Sequence, residues 1–362
     1  MKPTKQLHDL GQSLWLDYIT RGSLDDGTLE GYIRDFDVTG LTSNPTIFDK
    51  AVSGSEDYSE QIAELREQGL DPEPLFFELA IADLRRAADS FKAVHERTDT
   101  VDGFVSLEVS PKLAYDTEAT IRQAAELHAR AERDNLFIKI PGTRHGLPAI
   151  EETIYAGVPV NVTLLFDSED HLAAADAYMK GIERRIADGL DPDVRSVASI
   201  FMSRWDVAVA KDGVPEELHN RVGIAIGKKA YAAYVELLAS ERMQKLESEG
   251  ARPQRLLWAS TGTKDPKASD TLYIEAFASP NTVNTMPEDT LLAFADHGEV
   301  GDPLPEDGGD ADQVLAEFER AGVDVAALAD RLQKEGADTF VKSWDDLIGS
   351  ISSEAERLAG KS

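Results

Sequence analysis

The stretch Leu136-Phe137-Ile138-Lys139-Ile140-Pro141-Gly142-Thr143 reads as a short buried strand halted by Pro141-Gly142. Residues 146–155 then carry helical spacing, and Val158-Pro159-Val160-Asn161-Val162-Thr163-Leu164-Leu165-Phe166 is a β-branched strand. Strand, helix and strand in that order predict a parallel pair joined by a right-handed crossover. The first strand also poses a chemical question. Side chains alternate faces with period 2, so Lys139 shares a face with Phe137, opposite Leu136, Ile138 and Ile140. An ammonium in a buried strand must reach solvent, find a carboxylate or lose its proton. It snorkels at a strand end, or it is a neutral amine, which is a nucleophile towards carbonyls.

The same alternation extends in both directions. Upstream, residues 5–13 are helical, and 13–19 form a strand with Asp17 near its end. Residues 24–34 are helical, and 38–45 form a strand ending in the turn Asn44-Pro45. A strong helix over 74–96 leads to a strand over 101–109 containing Glu108, and 117–132 is helical. Downstream come a helix over 168–188, a strand over 194–202 and a long helix over 215–249, with breaks expected near Gly223 and Gly227. A strand over 255–260, a short helix over 269–277 and a strand over 281–285 follow. Eight strand candidates, most of them separated by helices, predict an α/β chain closed into a (β/α)8 TIM barrel with an N-terminal helix. Residues 1–298 are taken as the barrel. Residues 299–362 are taken as an acidic loop and a C-terminal helical extension, with helices over 313–320, 323–335 and 339–358 packed on the barrel.

The chain has 362 residues, more than a typical domain of about 100–200 residues, enough for one large barrel with additions. Lys and Arg number 37 against 67 Asp and Glu, a net charge of −30, which argues against nucleic acid or an anionic membrane as partner. No apolar run is long enough to span a bilayer, and the N-terminus has no secretory core, so a cytoplasmic enzyme is expected. With no cysteine there is no disulfide, thiolate nucleophile or cysteine metal site. The seven histidines show no close ligand spacing, so no metal is expected.

In a parallel barrel the C-terminal strand ends share one face, where chemistry collects. Asp17, Asn44, Glu108, Lys139, Asn161, Thr163, Ser199, Arg204, Ser260 and Lys264 all fall at or near such ends. Together they describe a pocket with two acids, an amine, neutral hydrogen-bonding groups and two cations. That set suits Schiff-base carbon–carbon chemistry: the amine attacks a ketone, and the iminium draws electrons from the neighbouring bond. An acid must shuttle protons, with Asp17 and Glu108 as candidates. Arg204 and Lys264 suit a phosphate. Plainer readings stand beside these: Asp17 as a helix cap, Asn44 as a turn residue, Glu108 as a surface acid, Arg204 and Lys264 as solvated cations.

Five ordered segments resemble the transaldolases: Gly40-Leu41-Thr42-Ser43-Asn44-Pro45-Thr46-Ile47-Phe48; Ser106-Leu107-Glu108-Val109 with Tyr115-Asp116-Thr117-Glu118; Phe137 to Thr143; Asn161-Val162-Thr163-Leu164-Leu165-Phe166; and Val283-Asn284-Thr285-Met286-Pro287. The segment Trp258-Ala259-Ser260-Thr261-Gly262-Thr263-Lys264 is similar to that of the longer bacterial members. The resemblance implies a Schiff-base lysine at Lys139 and a proton-shuttling aspartate at Asp17. It implies a water held by Glu108 and Thr163, and substrate contacts from Asn44, Asn161, Ser199 and Phe201. It implies a phosphate arginine at Arg204. Many members carry a second arginine after strand 7; here Ser260 and Lys264 take that place. The implied reaction moves dihydroxyacetone from sedoheptulose 7-phosphate to glyceraldehyde 3-phosphate, giving erythrose 4-phosphate and fructose 6-phosphate in the pentose phosphate pathway, without a cofactor. Three rivals are a fructose-6-phosphate aldolase, a metal-dependent aldolase and a non-catalytic sugar-phosphate-binding barrel.

Overall fold

The computed structural model describes residues 2–359. Residue 1 and residues 360–362, the outer ends of the expected barrel and C-terminal unit, lie outside the described residues. Eight parallel strands close into one barrel in sequence order. They are β1 (Ser13–Asp17), β2 (Val38–Thr42), β3 (Val105–Glu108), β4 (Leu136–Pro141), β5 (Val160–Leu165), β6 (Ser196–Phe201), β7 (Arg255–Ala259) and β8 (Val283–Met286). β1 pairs with β8, which leaves no open edge. A helix Pro3–Asp9 precedes the barrel, and helices alternate with the strands outside it.

Apolar packing makes the barrel a filled core rather than a pore. Below Lys139 on β4, Phe137 stacks on Phe104 at 4.1 Å between centroids and meets Trp15 of β1 at 6.0 Å. The Trp15 indole donates to Asp102 Oδ1 at 2.8 Å, so a buried polar atom of this aromatic floor is satisfied.

Several element boundaries differ from expectation, each for a local reason. The expected helix over 24–34 is two helices, Arg21–Asp25 and Thr28–Asp35, divided at Gly27 with φ of 80°. The strand expected over 101–109 begins only at Val105, because Asp99 and Thr100 take left-handed backbone angles and Asp102 is engaged by Trp15. The Asn44-Pro45 turn starts an unexpected helix, Pro45–Gly54, capped by Asn44, and a second helix, Ser59–Glu67, follows. Helices Ser203–Lys211 and Glu288–His297 are likewise additional to the expected elements. The long helix expected over 215–249 breaks at Ser240 into Val222–Ala239 and Glu241–Ser248, not at its glycines. Gly227 lies within the first of these, and a Cβ there would lie 2.2 Å from the Phe277 ring, which accounts for the glycine as a packing residue and not a break.

The largest difference is at the C-terminus. The helices expected over 323–335 and 339–358 are one helix, Val325–Ala359, continuous through Gly336. It spans the barrel mouth. At one end Gln333 donates to the Leu164 carbonyl of β5 at 3.1 Å. Further along, Thr46 donates to Ser343 at 2.9 Å and Ser350 to Asp49 at 2.7 Å, tying it to the helix after β2. Between these ties Trp344 packs against Phe76 and Phe77 at 5.1 and 5.5 Å.

Candidate active site

Parallel register sets the central residues level. Glu108 of β3 pairs with Lys139 of β4, and Lys139 with Asn161 of β5. Registered residues of neighbouring parallel strands point the same way, so three polar side chains enter the barrel side by side. Lys139 is 5% exposed. Its Nζ lies 3.4 Å from Glu108 Oε2, donates to the Ser43 carbonyl at 3.3 Å, and sits 5.7 Å from the Phe340 ring centroid. The plainer reading of Lys139 as a snorkelling surface residue does not describe this position.

Glu108 is 4% exposed, and its Oε1 has no hydrogen-bond partner among the described residues. Burial pushes its pKa above the ordinary glutamate value, with Lys139 pulling in the opposite direction. Asp17 behaves likewise. Burial raises its pKa, while Lys139, the Thr42 hydroxyl and Lys264 oppose the rise. The Thr42 hydroxyl donates to Asp17 Oδ1 at 2.7 Å and meets the Thr285 hydroxyl at 2.7 Å. Thr42 has one proton to give, so Thr285 is the donor in the second bond. One Asp17 oxygen is thus held as an acceptor, and the other remains to exchange protons in the pocket.

A second chain fixes Asn161. Ser199 donates to its Oδ1 at 2.7 Å, and its Nδ2 donates to Ser106 Oγ at 3.1 Å. One amide N–H is left over. Thr163 follows on β5, fully buried, with an Oγ1 that lacks a partner among the described residues. Asn44 serves two purposes. Its Oδ1 accepts from the Ile47 amide at 3.0 Å as a helix cap, while its side chain lines the cavity. The turn-residue reading and the site reading are therefore compatible.

At the rim, the Arg204 guanidinium lies 4.9 Å from the Phe201 ring centroid and 5.6 Å from that of Phe340. It makes no hydrogen bond among the described residues, and burial lowers its pKa while Glu108 opposes. A guanidinium held between aromatic faces keeps its donors for an anion. Lys264 is exposed, lines the same cavity and has no ion pair among the described residues. Ser260 follows β7 with φ of 55° and meets Ser203 Oγ at 2.9 Å.

Asp17, Asn44, Lys139, Ser199, Phe201, Arg204, Ser260 and Lys264 line this single cavity. Glu108 joins it through Lys139, and Asn161 through Ser199. A wider groove behind the loop after β7 shares Lys264 with it. That groove contains Asp206, whose carboxylate accepts from the Val222 and Gly223 amides and from Tyr273, a structural engagement. The smaller cavity holds the candidate residues. Thr42, Thr285 and Phe340 line it and Ser106 supports it through Asn161, although none of these four is among the sequence candidates. Thr42, Ser106 and Thr285 stand inside the quoted motifs; Phe340 lies in none of them.

A sequence model described as transaldolase/fructose-6-phosphate aldolase matches residues 14–351, from β1 into the last helix. The chain belongs to this family. Among curated proteins, the transaldolase of Saccharopolyspora erythraea is 44% identical over 357 residues, covering 97% of each chain. That of Parafrankia sp. is 45% identical over 358 residues, again 97% of each. That of Thiobacillus denitrificans is 42% identical over 97% of this chain and 100% of its own. The family match covers all eight strands except the first residue of β1, so every residue placed in the cavity falls within it.

Proposed function

We propose that this chain transfers a three-carbon dihydroxyacetone unit between sugar phosphates through a Schiff base on Lys139. Family membership and whole-length relatives named transaldolase make it a transaldolase, a transferase. The observation that carries the residue assignment is the buried Lys139 amine, 3.4 Å from Glu108 in a cavity that also contains Asp17 and Arg204. The Lys139 amine adds to the ketone carbon, and loss of water leaves an iminium. Asp17 takes the proton from the C4 hydroxyl, the C3–C4 bond breaks, and the aldehyde departs. Its bonding electrons remain as an enamine on Lys139, which attacks the acceptor aldehyde, while Asp17 returns the proton. Water then adds to the new iminium, the C–N bond breaks, and the product ketose leaves with the Lys139 amine restored.

Glu108 Oε1 and Thr163 Oγ1 are the polar atoms suited to holding the water made in the dehydration. Asn161 and Asn44 each keep an N–H for substrate hydroxyls. Arg204 takes the phosphate, with Lys264 and Ser260 lining the same cavity. These cations provide a local positive field in a chain of net charge −30. The iminium is the electron sink, so the reading needs no organic cofactor. Sedoheptulose 7-phosphate with glyceraldehyde 3-phosphate, and erythrose 4-phosphate with fructose 6-phosphate, are the proposed substrate pairs. No helix among the described residues is long and apolar enough to cross a membrane, and a cytoplasmic location is proposed.

Product analysis tests the reaction type. Fructose 6-phosphate and erythrose 4-phosphate are expected to yield sedoheptulose 7-phosphate and glyceraldehyde 3-phosphate. Free dihydroxyacetone in place of the seven-carbon product would instead indicate an aldolase. Arg204→Ala is expected to raise KM for phosphorylated substrates by about 10–100-fold, the loss of a charge-assisted hydrogen-bonding partner. Its kcat should change less, and unchanged KM values would remove Arg204 from the phosphate site.

A further inference from the structure

We infer that Phe340 keeps water from the Lys139 adduct and so sets the division between transfer and release. The inference rests on the Schiff-base reading above. Phe340 comes from outside the barrel, on the helix Val325–Ala359, yet its ring lies 5.7 Å from the Lys139 ammonium. The same ring lies 5.6 Å from the Arg204 guanidinium and 6.2 Å from the Phe201 ring. It therefore spans the space between the amine that would carry the three-carbon unit and the cation that would hold the phosphate.

The helix is fixed where Phe340 enters. One turn earlier, a Cβ on Gly336 would lie 2.9 Å from Leu164 Cδ2 and 3.0 Å from an Arg204 nitrogen, so a larger residue there would displace the ends of both side chains. Another turn back, Gln333 binds the carbonyl of Leu164, whose φ of 61° is sparsely populated for a non-glycine residue. Leu164 directly follows Thr163. The helix thus fixes both the end of β5 and the aromatic cover over Lys139. On the far side Trp344 is wedged between Phe76 and Phe77. A ring held at both sides is a wall, not a mobile flap.

The chemistry explains why such a wall matters. In transfer, enamine C3 forms a bond to the acceptor carbonyl carbon, and the new alkoxide takes a proton. In release, C3 takes a proton to give the iminium, and water adds to C2. The C2–N bond then breaks, the amine departs and dihydroxyacetone is freed. The routes diverge at C3, on whether it bonds to the acceptor carbonyl or takes a proton, and an apolar cover limits the bulk water that could deliver that proton.

Phe340→Ala is expected to raise the ratio of free dihydroxyacetone to transferred units by on the order of tenfold, about 1.4 kcal/mol between the two barriers. Phe340→Leu, which keeps an apolar plug, should fall between alanine and the parent, and it carries the test if the alanine variant does not fold. Fructose 6-phosphate serves as donor and erythrose 4-phosphate as acceptor. Borohydride trapping is run in parallel. A Lys139 adduct in parent and variant with an unchanged ratio overturns the role of Phe340 alone, even if turnover falls. Absence of a Lys139 adduct in the parent overturns the Schiff-base reading and this inference with it.

Discussion

Lys139→Ala is expected to lower three-carbon transfer by at least about 10⁴-fold, because it removes the covalent route rather than weakening it. The neighbouring carboxylate complicates that variant. Glu108 is 4% exposed, and its pKa is already raised by burial, with Lys139 opposing the rise. Without Lys139 it rises further, and the site loses a charge as well as a nucleophile. Lys139→Arg separates the two effects. Arginine retains a cation beside Glu108 but stays protonated and cannot attack a ketone. Both variants are expected to be inactive in a transfer assay, with the barrel's circular dichroism unchanged. Transfer by Lys139→Arg within tenfold of the parent would mean that Lys139 acts as a charge and not as a nucleophile.

Asp17→Asn should cost about 10²–10⁴-fold in kcat, the range for losing a positioned general base. The amide oxygen still accepts from Thr42, so the hydroxyl chain to Thr285 survives. What disappears is the ability to take the C4 proton. Schiff-base formation should continue, so borohydride should trap the intact six-carbon sugar on Lys139 instead of the three-carbon unit. The pH profile supplies a second reading. As the proposed base Asp17 works ionised, so the parent's rate is expected to fall as pH drops through its pKa. Burial raises that pKa, with Lys139, Thr42 and Lys264 opposing, so the acid limb is expected above the ordinary aspartate range. In Asp17→Asn that limb should be lost or replaced by one from Glu108. A three-carbon adduct with an unchanged profile would assign proton transfer elsewhere.

Much of the site was legible because polar residues are conspicuous in strands that are otherwise apolar. Lys139 in Leu-Phe-Ile-Lys-Ile, and Asn161 and Thr163 in a β-branched run, need a reason to be there, and strand alternation puts them on one face. The barrel was legible for a similar reason, since apolar runs bounded by turn residues recur between amphipathic helices. Illegible features depend on contacts distant in sequence. Gly336 looks like a helix stop, but it permits close packing on Leu164 and Arg204. Phe340 shares its helix face with Ala337, Trp344 and Leu347, a stripe that reads as ordinary core. Only the helix's path across the mouth gives it a place beside Lys139. Thr42 and Thr285 were visible in motifs, but the hydrogen-bond chain from Thr285 through Thr42 to Asp17 depends on β1, β2 and β8 meeting in space.

Trapping the adduct on the parent protein tests the central claim most directly. The protein is incubated with fructose 6-phosphate, reduced with borohydride, digested and examined by mass spectrometry. A three-carbon, dihydroxyacetone-derived mass on the peptide containing Lys139 is the expected result. No adduct, or an adduct on a different lysine, would contradict the Schiff-base assignment and every role derived from it.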